Sequence, residues 1–225
     1  MTKISAGGQG SARQAVLRDA AGIGVAVGAY GLSFGAAAVT AGMSTLQACA
    51  LSLLLFTGAS QFALVGVLGA GGGAVAGVAG ALLLGTRNTL YAVRLGVLLP
   101  VRGPRRVLAA QLTIDETTAM ATAAPAGLAG TAFWASGVSV YVLWNLATLI
   151  GAVGTARLGD PAVLGLDAAV PAAFLALLAP QLRERDTLAL GAAGALLAAL
   201  AIPLTPAGVP VLLAAVAVLP LLLRR

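Results

Sequence analysis

Hydrophobic and polar positions divide this chain into eight apolar runs separated by short breaks. The runs cover about residues 20–42, 46–69, 74–99, 106–124, 131–154, 162–180, 187–203 and 208–223. One helical membrane crossing needs ~20 apolar residues, and most of the runs reach or approach that length. The breaks have local causes. Ala41-Gly42-Met43-Ser44 is a turn, Gly69 to Gly73 holds four glycines in five residues, and Pro100, Arg102, Gly103 and Pro104 close the third run. Pro125 with Gly127, the stretch Gly159 to Pro161, Pro180, and Pro203 with Pro206 separate the later ones. The runs are continuous, without the short alternating segments of a membrane barrel. Lipid offers backbone groups no water, so the remaining spanning architecture is an all-α transmembrane helical bundle.

The polar residues 1–19, with Lys3, Arg13 and Arg18, read as a cytoplasmic N-terminal tail ahead of a single transmembrane domain over 20–223. A cleaved signal fits poorly, because the apolar run from Ala20 exceeds the ~7–15-residue core of a signal peptide. Orientation adds a constraint. The other basic clusters are Arg102/Arg105/Arg106, Arg183/Arg185 and Arg224/Arg225. With eight full crossings and a cytoplasmic N-terminus, the cluster at 102–106 faces outward, against the positive-inside tendency. If the third and fourth runs break or turn back, every cluster and both termini become cytoplasmic. The expectation is therefore six full crossings plus a broken or re-entrant pair at 74–124.

That same pair carries the intramembrane charge. From Ala20 to Thr86 there is no Lys, Arg, Asp or Glu, and then Arg87 and Arg94 follow. Charge at membrane depth is costly and marks a pathway, a partner or a site. Arg87, Tyr91 and Arg94 share a helix face at i, i+4 and i+7, with Asn88 beside them. A guanidinium presents a planar fork of donors that fits a carboxylate. The competing reading is a structural ion pair between Arg87 and Asp115 or Glu116. In Gln111-Leu112-Thr113-Ile114-Asp115-Glu116 the two acids are candidates for proton coupling, since desolvation penalises carboxylate charge; the alternative is an interfacial segment whose acids see water. Asp167 is a third candidate acid. Ser60 and Gln61, in Thr57-Gly58-Ala59-Ser60-Gln61, and Asn145, in a stripe with Tyr141 and Thr148, can bond either a ligand ammonium or a neighbouring helix. Gly24/Gly28, Gly31/Gly35 and Gly73/Gly77 are small residues spaced four apart, the pattern of close helix approach in lipid.

Composition supports the membrane class and removes several chemistries. The 225 residues are 60% hydrophobic and 9% charged, where a soluble domain carries roughly 25% charged residues. The net charge of +6 fits basic flanks that meet anionic headgroups. There is no basic stripe with interleaved aromatics, so nucleic acid is not an expected partner. The single Cys49 excludes an intrachain disulfide, and histidine is absent, which removes the usual zinc ligands and general base. Lys3 is the only lysine, so no phosphate-binding loop of the G-x-x-x-x-G-K type exists. No cofactor or metal is expected.

Five motifs in order carry a family resemblance: Phe34-Gly35, Thr57-Gly58-Ala59-Ser60-Gln61-Phe62, Arg87-Asn88-Thr89-Leu90-Tyr91, Asp115-Glu116, and Leu166-Asp167-Ala168-Ala169-Val170-Pro171-Ala172-Ala173-Phe174. Together, from about residue 18 to 220, they resemble the azaleucine-resistance (AzlC-type) permeases, the large subunits of branched-chain amino acid exporters. The order Arg87-Asn88 departs from the family pattern, in which Asn precedes the basic residue. The resemblance implies a multi-pass protein of the bacterial inner membrane that exports valine, leucine, isoleucine or related amino acids. It also implies a partner, a small AzlD-type membrane subunit of roughly a hundred residues. On this reading Arg87 or Arg94 meets the substrate carboxylate, Asp115, Glu116, Gln61 or Asn145 meets the ammonium, and the carrier is proton- or gradient-coupled. Two other classes compete: an assembly or regulatory subunit whose charges only pair helices, and a permease whose ATPase is a separate chain. An intramembrane hydrolase using Asp115 and Asp167 has no supporting motif.

Overall fold

In the computed structural model the described residues are 6–157 and 181–218, together with 172, 175, 178 and 179; Asp167 lies outside them. Among them there are helices and no strands, as the apolar runs require. Helices α1 (Ala6–Gly28) and α2 (Tyr30–Thr40) follow one another with only Ala29 between them. The helix thus starts at Ala6, inside the polar stretch read as a tail. The next six are half-length: α3 (Thr45–Leu54), α4 (Ala59–Gly69), α5 (Ala74–Gly85), α6 (Arg87–Leu98), α7 (Arg105–Gln111) and α8 (Asp115–Ala123). The long α9 (Ala129–Arg157) follows, and α10 (Arg185–Ala201) and α11 (Val209–Ala214) come last.

Among the described residues, three stretches are long and apolar enough to cross a membrane: 9–40, 129–157 and 185–204. The fourth apolar run breaks at Leu112–Ile114, and the third is interrupted at Thr86 alone, which keeps helical angles of φ −57° and ψ −30°. The second run, 46–69, read as a full crossing, breaks as well. Its halves α3 and α4 have 10 and 11 residues. At 1.5 Å per residue each covers only about half of the ~30 Å hydrocarbon core. The cause is the turn Leu55–Gly58, where the Thr57 amide bonds back to the Leu55 carbonyl at 3.0 Å and Gly58 adopts φ +63°. A side chain at that φ is strained, so glycine permits the break.

The frame is a seam between α1–α2 and α9. A Cβ placed on Gly24, Gly31 or Gly35 collides with the Ser139 hydroxyl, the Trp144 carbonyl and the Thr148 carbonyl respectively, and one on Gly28 lies 2.7 Å from the Leu143 Cβ. The glycines spaced four apart therefore set the backbones in contact, as the pattern predicts. Gly77 packs against Leu64, whereas Gly73 meets nothing. Above the seam, Phe34 of α2, Phe62 of α4 and Trp144 of α9 form an aromatic cluster with centroids 5.6 to 6.3 Å apart.

Broken helices expose backbone carbonyls that lipid cannot satisfy. Side chains supply the partners. Gln111 donates to the Leu53 carbonyl at 2.8 Å, and the Tyr141 hydroxyl to the same carbonyl at 3.1 Å, closing the end of α3. Thr117 accepts from the Ile114 amide at 3.0 Å and donates to the Leu112 carbonyl at 2.7 Å, fixing the turn into α8.

Candidate functional site

The breaks converge. A cavity of about 710 Å³ is lined by Thr57, Gly58 and Ala59 from the α3–α4 break, Leu84, Arg87 and Tyr91 from the α5–α6 break, and Ile114, Asp115 and Glu116 from the α7–α8 break. This volume lies within the ~300–1,000 Å³ typical of small-molecule sites. Its apolar wall comprises Val27, Phe56, Phe62, Val140, Trp144 and Leu178, with Tyr30 beside them.

Arg87 is the first residue of α6 and Asp115 the first of α8. Their Nη2 and Oδ2 atoms lie 2.8 Å apart. The Tyr91 hydroxyl, one turn after Arg87, donates to the other carboxylate oxygen of Asp115. Arg87 also reaches the Thr57 carbonyl, at 3.5 Å, so one guanidinium touches all three breaks. The pair is only partly covered, with side chains 32% and 41% exposed, so both groups face the cavity rather than a closed core. A helix N-terminus carries partial positive charge. It favours Asp115 at the start of α8, and with Glu116 the cavity carries two acids to the one guanidinium of Arg87.

Several buried polar atoms around these breaks have no partner among the described residues: Thr57 Oγ1, Ser60 Oγ, Gln61 Nε2, Arg87 Nε, Trp144 Nε1 and Asn145 Oδ1. Leaving such a group unsatisfied costs about 1–3 kcal/mol. Three of the six belong to cavity-lining residues, Thr57, Arg87 and Trp144, and the other three, Ser60, Gln61 and Asn145, to residues next to a lining one in sequence.

Of the residues singled out in the sequence, Arg87, Tyr91, Asp115 and Glu116 line the cavity together. Ser60 and Gln61 stand behind its rim in the first turn of α4. The Gln61 Oε1 accepts from the Gly58 amide at 3.0 Å and so holds the break. Asn88, Arg94 and Asn145 are not among the lining residues. Arg94 is exposed two turns beyond Arg87, and the Asn145 amide donates to the Tyr141 carbonyl at 2.8 Å. Tyr30, Phe56, Phe62 and Trp144 were not read as site residues. An aromatic in an apolar run looks like core from sequence; only Tyr30 and Trp144, with a polar edge to satisfy, carried a signal.

An all-α membrane protein with a polar cavity at converging helix breaks belongs to the class of membrane transport proteins. The family model described as AzlC protein matches residues 22–158. That interval is more than half of the chain and contains every break and every described cavity residue except Leu178; the chain belongs to the AzlC family. No curated protein and no solved structure matches it.

Proposed function

We propose that this chain is the large subunit of an exporter of branched-chain or related apolar amino acids, acting as a proton- or gradient-coupled secondary carrier. The observation that carries the reading is Arg87. It lines the cavity, gives Nη2 to Asp115, and keeps a buried Nε donor with no partner among the described residues. A free α-carboxylate satisfies that donor, and charge-assisted bonds of this kind are the strong ones. A branched aliphatic side chain fits the wall formed by Phe56, Phe62, Val140 and Trp144. The small AzlD-type subunit and a place in the bacterial inner membrane with both termini cytoplasmic complete the reading, on the family resemblance.

The test is efflux of labelled valine from cells that express the chain with an AzlD-type subunit. Arg87→Ala is expected to lower efflux by roughly 10–100-fold at normal membrane insertion, the loss of one charge-assisted contact worth about 1.5–3 kcal/mol. Unchanged efflux would defeat the assignment. The alternative of an assembly subunit draws on one observation, the Arg87–Asp115 pair itself, which can join α6 to α8 without any ligand.

A further inference from the structure

Two adjacent acids line one cavity, and the structure treats them differently. Asp115 is engaged twice, by Arg87 Nη2 at 2.8 Å and by the Tyr91 hydroxyl. Glu116 lines the same cavity but has no salt bridge among the described residues. Consecutive helix positions are rotated by ~100°, so the guanidinium that grips one carboxylate does not grip the next. Among the described residues, the other groups that can bear charge or titrate around the cavity are Arg87 and Tyr91 from α6, Asp115 on Glu116's own helix, and Tyr30 from α2. The elements that contribute the remaining wall present the apolar surfaces of Phe62, Val140 and Trp144 and the polar backbone of Thr57 and Gly58.

We infer that Glu116 is the exchange site of the cavity, where the substrate's ammonium group and the coupling proton compete for one carboxylate while Asp115 stays bound to Arg87. The inference rests on the carrier reading above and goes beyond it by separating the two acids. With Asp115 occupied, Glu116 is the one cavity-lining carboxylate among the described residues left to face an ammonium. Arg87, which lines the same cavity, then takes the carboxylate end of the same zwitterion.

The competition has a definite balance. In one state the Glu116 carboxylate pairs with the substrate ammonium, and no bond to hydrogen changes. In the other, the carboxylate takes a proton from water, forming one O–H bond, and releases it before the next ammonium binds. A carrier that holds either a proton or a zwitterion exchanges one for the other across the membrane. Each cycle moves one positive charge against the outgoing neutral substrate, so an inside-negative potential drives export as well as a pH gradient does.

Proteoliposomes containing the chain with an AzlD-type subunit provide the test, with valine as probe. In weak buffer, valine binding to the wild type is expected to release about one proton per bound valine. Glu116→Gln is expected to release none and to bring pH-gradient-driven efflux down to the level seen without a gradient. Glu116→Asp, which keeps the charge, is expected to restore both in part. Valine binding to the wild type without proton release overturns the inference, as does a folded Glu116→Gln protein that still responds to the gradient. The wild-type measurement decides the matter even if Glu116→Gln fails to fold. A wild type that moves none of valine, leucine and isoleucine overturns the carrier reading itself, and the inference with it.

Discussion

Arg87 and Asp115 are each the first residue of a half-length helix, and they meet at 2.8 Å across the breaks that begin those helices. Neither helix end needs this partner for its own hydrogen bonding. The start of α8 is held by Thr117 at the Ile114 amide, and the turn at Thr86 by its hydroxyl, which donates to the Leu83 carbonyl at 2.6 Å. The ion pair is thus an addition to two turns that already close. It places opposite charges at a partly open cavity, with side chains 32% and 41% exposed.

The charge swap follows directly. Arg87→Asp alone and Asp115→Arg alone each leave two like charges facing each other, and both are expected to lower thermal stability. The double variant restores the pair, and its melting temperature is expected to return toward the wild type. Efflux is not expected to return, because the guanidinium then starts from α8, away from the Thr57 carbonyl, and the Tyr91 hydroxyl loses the carboxylate it donates to. Full recovery of transport in the swapped protein would assign the pair to structure alone.

How far the sequence reached this site depends on the kind of signal. Charge in an apolar run is rare and costly, so Arg87, Asp115 and Glu116 stood out, and the orientation conflict pointed to the same two runs. The break in 46–69 did not stand out, because Gly58 is one of 30 glycines and composition cannot show which of them takes a positive φ. Helical spacing put Arg94 on the face of Arg87, but a shared face does not mean a shared depth. Seven residues along a helix are about 10 Å apart, which carries Arg94 past the cavity to an exposed position.

That difference in depth separates the two arginines by experiment. Arg94→Gln is expected to leave valine efflux within about threefold of the wild type, in line with the ±0.5 kcal/mol usual for exposed substitutions. Arg87→Gln is expected to lose roughly 10–100-fold. Equal losses in both would place the substrate's path along the whole face of α6 rather than at its first turn.

The glycine seam predicts a steep dependence on one methyl group. Gly35→Ala puts a Cβ into the Thr148 carbonyl, which is backbone and cannot swing aside. Overpacking of this kind costs about 1–3 kcal/mol, and the shift between α2 and α9 would also disturb the Phe34–Trp144 stack beside the cavity. Gly22→Ala is the control, since nothing lies within 4 Å of the added atom. It is expected to be neutral or slightly stabilising, because alanine is the better helix former by about 1 kcal/mol. Thermal melting followed by size-exclusion chromatography in detergent reads both. Similar melting temperatures for the two variants would show that the seam is not under close packing.

The end of α3 gives a prediction that concerns folding rather than binding. Its Leu53 carbonyl receives two side-chain donors, Gln111 from α7 at 2.8 Å and Tyr141 from α9 at 3.1 Å. These bonds tie three helices to a carbonyl that no helical turn satisfies. Tyr141→Phe removes one donor and keeps the ring, which packs edge-on against Phe56 at 4.9 Å. The Gln111 bond persists, so the loss is expected to be near 1 kcal/mol, the net worth of a single hydrogen bond. Gln111→Leu is expected to cost about the same for the same reason. In the double variant the carbonyl has neither donor, and the full desolvation penalty of about 1–3 kcal/mol then falls on it. The combined loss in melting stability should therefore exceed the sum of the two single losses. Simple additivity would mean that water or lipid headgroups already reach the end of α3, and that the α3–α4 break lies at the membrane surface rather than within its depth.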